Sequence, residues 1–263
     1  MYVRLISTPP LNGFRNMAID EAILLNRMPT LRFYEWQPSC VSVGYFQNTL
    51  REVNSTYCHT HDIDIVRRPT GGKAVLHEYE LTYSIVVPEN LFGSQVIQSY
   101  RTISQVFVSA LKKIDIPIQI RVKAEPAQRS PLCFQAVSFY ELVCNGKKIM
   151  GSAQTRRNGM LLQHGSILLD VDYEKLYCCM NFQAPLAEPE SLTHYLTGIN
   201  RECSLSLSCH ELKKIIADRF KKELHFTLKP ATFTEEENLL ARELENHKYI
   251  RREWNYKTIE TPA

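Results

Sequence analysis

Two arginines, a glycine pair, a lysine and a histidine crowd into RRPTGGKAVLH, residues 67–77, at the mouth of a strand-like run. Glycines let the backbone come close to a ligand and aim amide groups at it, while Arg67, Arg68 and Lys73 bring donors and positive charge to the same place. Such a loop suits a carboxylate, a phosphate or a thioester carbonyl. It lacks the GxxxxGK[ST] spacing of a nucleotide-binding phosphate loop. The plainer alternative is a glycine turn between two strands whose basic flanks lie in solvent, and the residues taken singly leave both open.

Other reactive side chains are scattered. The eight cysteines include no CxxC pair, and in a cytosolic chain reduced, mostly buried thiols are the expectation. His59 and His61 beside Cys58, and Cys209 beside His210, lack the two paired couples that a zinc site uses, so no metal is expected.

The 31 basic and 28 acidic residues are mixed along the chain, so charge does not call for nucleic acid. The balance of +3 suits an acidic partner, because complementary fields raise the encounter rate. The opening MYVRLISTPPLNGF has no basic region followed by an apolar run, and no stretch reaches the ~18 apolar residues of a membrane span. These features predict a cytoplasmic protein with no membrane partner.

Strands and helices must position the loop. Apolar residues recur at helical spacing from Phe14 to Met28, with Asp20 and Glu21 on another face, and again from Gln95 to Ile114. LRFYEW (31–36) and CVSVGY (40–45) alternate like strands and are expected to pair across Pro38. Further strands are read at 63–68, through AVLH and LTYSIVV to Pro88, and at 117–122, 139–144, 148–156 and 160–170. Asn145-Gly146 and Asn158-Gly159 mark hairpins. Helices follow at about 209–222 and 234–247, and the stretch from Ala184 to Ser208, poorest in pattern, reads as a surface excursion. The sum is an α+β protein, a mostly antiparallel or mixed sheet with packed helices, in one domain over 1–263.

RRPTGGKAVLHEYELTYS resembles the signature of the lipoate/octanoate transferase and lipoate–biotin protein ligase superfamily. NMAIDEAIL, ELVCNGKKIMGSAQTRRNGMLLQHGSILLD and KYIRREWN agree with it in the right order. ELTYS and CFQAVSFYEL are similar to the cysteine-dependent octanoyltransferases. Ligases more often carry a third glycine at Lys73 and a Gly-Asn pair at Tyr79-Glu80. The resemblance implies the catalytic-domain fold of that superfamily. It implies Cys133 as the acyl-accepting nucleophile and Lys148 as its partner. Arg67, Gly71, Gly72, Lys73, His77, Gly151, Ser152, Ala153 and His164 would bind the substrate. The family's cysteine motif usually reads CFDAPSWYE, so Gln135, Val137 and Phe139 depart from it.

The chemistry suits that assignment. A thiolate exchanges one thioester for another at little net energy, and an ammonium such as that of Lys148 favours a thiolate over a thiol of ordinary pKa ~8.5 and can return a proton to the leaving group. Cys144 is the alternative nucleophile, although its alternation with Leu142 and Tyr140 suggests packing. Burying about seven methylene-type carbons contributes on the order of 5 kcal/mol, with Phe14, Tyr34, Val75, Leu76 and Tyr83 as expected lining. The first reading is an octanoyltransferase without cofactor, taking its acyl group from acyl carrier protein to a lipoyl domain or the glycine-cleavage H protein. The second is a lipoate–protein ligase needing ATP and Mg. Its relatives usually add an accessory domain, whereas this chain stops soon after EWNY. A third is a non-catalytic acyl- or carrier-binding module.

Overall fold

The structure, a computed structural model, describes residues 1–121, 141–182 and 188–257. The chain runs β1 (Tyr2–Ser7), α1 (Gly13–Leu25), β2 (Thr30–Tyr34), β3 (Cys40–Val43), α2 (Thr49–Glu52), α3 (Ser55–Thr60), β4 (Asp64–Arg67), β5 (Val75–His77), β6 (Glu80–Pro88), α4 (Val96–Lys112) and β7 (Ile118–Arg121). Then come β8 (Glu141–Cys144), β9 (Lys147–Arg157), β10 (Met160–Leu168), α5 (Tyr173–Cys178), a 3-10 turn at Pro189–His194, α6 (Ile199–Cys203), α7 (Cys209–Glu223), β11 (Thr227–Pro230), α8 (Glu235–Leu244), a π-helical turn at Glu245–Tyr249 and α9 (Arg252–Asn255).

Two sheets form. The larger has the order β11-β1-β2-β6-β10-β9-β8-β7 and the smaller β4-β3-β5. The large sheet is antiparallel from β2 to β7 and parallel where β1 meets β2 and β11. The small one is parallel between β3 and β4 and antiparallel between β3 and β5. Both Asn-Gly pairs take positive φ at each residue, at 48° and 79° for Asn145-Gly146 and 53° and 77° for Asn158-Gly159. That is the turn whose twist matches flanking antiparallel strands.

Strand alternation divides the cores. In β6, Leu81, Tyr83, Ile85 and Val87 face the cluster completed by Ile103, Phe107 and Leu111 of α4 and Leu212, Ile216 and Phe220 of α7. Val86 on the opposite face joins Met160 and Leu162 of β10 under Ile19 and Ile23 of α1 and Ala241 of α8. The small sheet has its own cluster, with Val41, Val43, Ile65 and Leu76 against Leu176, Leu192 and Leu196. Among the described residues no helix is long and apolar enough to cross a membrane.

The fold corrects two sequence expectations. β2 and β3 do not pair: β1 and β6 already take both edges of β2, which sends β3 to the smaller sheet. The stretch 184–208, over its described part, is no surface excursion, since Leu192, Leu196 and Ile199 are fully buried. Asp20 and Glu21 of α1 are buried: Arg32 lies beneath Asp20, while Tyr249 and Lys248 reach Glu21.

Candidate active site

Between the two sheets lies a cavity lined from both. Met17 of α1 closes one side, and Tyr34, Thr82, Gly151 and Ala153 supply walls from or beside the large sheet. Ser42, Val75, His77 and Arg68 supply the small-sheet wall. Trp36 stacks on His77 with ring centroids 4.0 Å apart and donates through Nε1 to Thr82 Oγ1 at 2.7 Å, so the two lobes touch through an aromatic lid. Of the expected acyl lining, Tyr34 and Val75 reach this space. Tyr83 lies behind it, Leu76 faces the small-sheet core, and Phe14 packs in the cluster around Met17.

Period-2 alternation on β10 aims His164 and Ser166 at the cavity. His164 Nε2 lies 2.7 Å from Thr70 Oγ1 and its Nδ1 3.3 Å from Asp20 Oδ2. Across the cavity, His77 Nε2 lies 2.7 Å from Ser42 Oγ and Nδ1 lies 2.7 Å from Glu80 Oε1. That oxygen also accepts from Thr82 and Ser166, each at 2.6 Å. Each imidazole is thus held by a buried carboxylate on one nitrogen and a hydroxyl on the other. Burial favours the neutral ring of His164 and outweighs the pull of Asp20, so its pKa falls. Burial alone would raise the Asp20 carboxyl, but the His164 hydrogen bond and the Arg32 charge outweigh it and hold it below the usual value.

The two arginines of the opening motif have different jobs. Arg67, the predicted binder, does not reach the cavity: its guanidinium is fully buried and spent on backbone. Nη1 donates to the carbonyls of Gly44, Tyr45 and Gln47 at 3.0, 2.7 and 2.8 Å, Nε to Trp254 at 3.0 Å, and Nη2 to Lys257 at 2.8 Å. Arg68 is the cavity arginine. It donates to the Ser42 carbonyl at 3.0 Å, to Ser42 Oγ at 3.1 Å, and to the carbonyls of Gly71 and Lys73 at 2.9 and 2.7 Å. Gly71, Gly72 and Lys73 are therefore one layer out from the lining, wrapped on Arg68. Gly72 has φ +91°, and a Cβ on Gly44 would fall 1.9 Å from the Gly72 carbonyl oxygen, so this seam requires both glycines.

Lys148 is fully buried and its amine donates to the buried Glu141 carboxylate. Its backbone is held on one side by β8 and on the other by residues 195–197: Lys148 N–H donates to the Tyr195 carbonyl at 2.8 Å, and the Lys148 carbonyl accepts from Thr197 N–H at 3.0 Å. A Cβ on Gly151 would stand 3.0 Å from Lys148 Cε and 3.2 Å from Nζ, which places the amine directly behind a cavity-lining glycine. Ser152 and Ala153 line the same wall. Cys133 lies outside the described residues. Cys144 is buried in contact with Cys203, sulfurs 3.7 Å apart, and burial followed by that neighbour pushes its thiol up to about 12, so it is a packing group.

Met17, Trp36, Ser42, Thr82, Gly165 and Ser166 escaped the sequence reading. Their signals were weak: Ser166 shares strand parity with His164, and Ser42 is the polar break in an apolar strand.

The cavity is thus walled by both sheets, with the buried Lys148 amine behind Gly151. Residues 12–221 match the model of the lipoyl protein ligase A/B catalytic domain, and the chain belongs to that family. It is 38% identical to octanoyltransferase LipM of Halalkalibacterium halodurans, covering 92% of this chain and 94% of that one. With octanoyltransferase LipM of Bacillus subtilis the identity is 36%, over 92% and 93% of the two chains. Among solved structures, a lipoate-protein ligase A bound with ATP superposes with a TM-score of 0.84 at 27% identity, over 98% of this chain and all of the other. A bipartite lipoate protein ligase of an archaeal lipoylation system from Thermoplasma acidophilum gives 0.83 at 27%, over 100% and 99%.

Proposed function

We propose that this chain is an octanoyltransferase of protein lipoylation. It takes an octanoyl group from the thioester of acyl carrier protein and delivers it to the acceptor lysine of a lipoyl domain of the H-protein type, through a thioester on Cys133. The acyl-transfer class is that of the curated relatives, whose printed name is octanoyltransferase. The observation that carries the reading is the Lys148 amine behind Gly151 at the wall of the apolar cavity. There an ammonium favours a thiolate and supplies a proton to a departing sulfur. His77, Ser152, Ala153 and His164 shape the acyl site, and Gly71, Gly72 and Lys73 form its outer loop.

The experiment is incubation of the purified protein with octanoyl-carrier protein and no ATP, followed by mass spectrometry. An octanoyl adduct lost in Cys133→Ser supports the reading. The likeness to ATP-bound lipoate-protein ligase A favours a second one, ATP- and Mg-dependent lipoate ligation by Lys148 without the cysteine. Lipoylated acceptor formed only with ATP and free lipoate would establish it instead. No product under either condition would leave a binding module.

A further inference from the structure

We infer that Glu141 is the positioning residue of Lys148, holding its amine as an ammonium behind Gly151 so that the lysine enters each cycle as a proton donor. The inference rests on the acyl-transfer reading of this site.

Glu141 is the first residue of β8 and Lys148 the second of β9, joined by the Asn145-Gly146 turn. The ladder slips between Leu142 and Val143: Val143 stands opposite Lys148 but Leu142 opposite Met150, so Ile149 is the extra residue of a bulge. A bulge re-aims side chains near a site, and here the carboxylate and the amine meet. Neither is exposed beyond 2%. β10 pairs with β9 only from Met150 onward, and beyond it residues 195–197 grip the Lys148 backbone. Ladder and strap thus fix the Lys148 backbone, and the carboxylate holds its amine.

Lys147 turns away to Glu202 of α6 at 3.0 Å, and Cys144 faces Cys203. The Glu141 carboxylate touches the Lys148 amine, and an amine taken out of water keeps its proton when an anion is within hydrogen-bond reach. The proton ledger of acyl transfer then closes through one atom. As the Cys133 thiolate of the proposed relay forms its C–S bond to the acyl carbon and the donor C–S bond breaks, the ammonium proton passes to the departing donor thiolate and leaves neutral Lys148. As the acceptor amine forms the C–N bond and the Cys133 C–S bond breaks, the proton the amine sheds returns to Lys148 and restores the ammonium beside the freed thiolate.

The test compares Glu141→Gln and Glu141→Asp with the parent chain, using octanoyl-carrier protein and acceptor domain across pH 6–10. Without the anion, Lys148 gives up its proton at lower pH. The alkaline limb of kcat/KM in Glu141→Gln should move down by about one unit or more, and kcat near pH 8 should fall about 10-fold. KM for the donor should stay within about 2-fold, and Glu141→Asp should recover part of the loss. An unmoved alkaline limb with parent-like kcat overturns the inference. In the parent chain, with Lys148→Met to assign the signal, the side-chain ¹⁵N resonance of Lys148 at pH 8 should be that of an ammonium. A neutral-amine resonance overturns the inference even if the Glu141 variants fail to fold. Lys148→Met with undiminished transfer would instead refute the reading of the site.

Discussion

The Arg32 guanidinium donates to the Asp20 carboxylate at 2.8 Å with both side chains fully buried. Tyr34 and Ser84 also donate to Asp20, each at 2.8 Å, so one carboxylate fastens α1 to β2 and β6 beneath the cavity. Replacing Asp20 with Asn leaves the Arg32 charge buried without its counter-ion. The expected loss is about 3–5 kcal/mol of unfolding free energy, measured by denaturant titration. The Asp20 carboxyl is lowered in the fold, so its contribution is full above the unfolded value of ~3.9 and is lost as pH falls through the folded value. The stability gap between parent and Asp20→Asn should therefore close in acid.

His164 shifts in the same direction, but because burial disfavours its charged form. Its folded pKa is lowered by burial, so below ~6.5 the unfolded chain takes a proton that the folded ring declines. This group's effect on stability is absent above that pH and grows as pH drops toward the folded value, at up to about 1.4 kcal/mol per unit. Melting temperatures at pH 7.5 and 5.5 should show a steeper fall in the parent than in His164→Gln.

Gly151→Ala puts a methyl group against the Lys148 amine. A reacting group displaced by about 1 Å can lose about 100-fold in rate. Transfer should fall by 10- to 100-fold (roughly, on the same reasoning) with the melting temperature little changed. Unaltered kcat would sever the lysine from the chemistry.

Arg67→Met should act on folding and not on the acyl site. The carbonyls of Gly44, Tyr45, Gln47, Trp254 and Lys257 lose their common donor, at a cost of about 3 kcal/mol or more. Hydrogen exchange should quicken at 44–47 and 254–257 together, while KM for the acyl donor in the folded fraction stays near that of the parent.

Val75→Phe fills part of the cavity. Each methylene denied burial costs ~0.8 kcal/mol, about 4-fold in kcat/KM. Octanoyl donors should lose roughly 10-fold or more by the same arithmetic, with butyryl donors nearly unaffected. Equal losses for both chains would show that Val75 does not border the acyl group.

Much of the fold was legible because strand and helix periods are local properties. β6, β10, α4 and both Asn-Gly turns fall where pattern puts them. The misses were non-local. Nothing within 31–45 says that β1 and β6 occupy both edges of β2, and the burial of Leu192 and Leu196 follows from a core built elsewhere. Of the residues singled out from sequence, His77, His164 and the GSA run fall on the cavity wall, but that Arg68 rather than Arg67 faces it was not legible. Adjacent residues on a strand face opposite ways, and sequence does not say which way leads to the cavity.

The cavity is a seam between two sheets that share no strand. Its width is set by side-chain bridges, Trp36 on His77 and Thr70 to His164, rather than by main-chain pairing. A side chain exchanged at one of these bridges would thus alter the gap between the sheets while leaving the main-chain pairing of each intact.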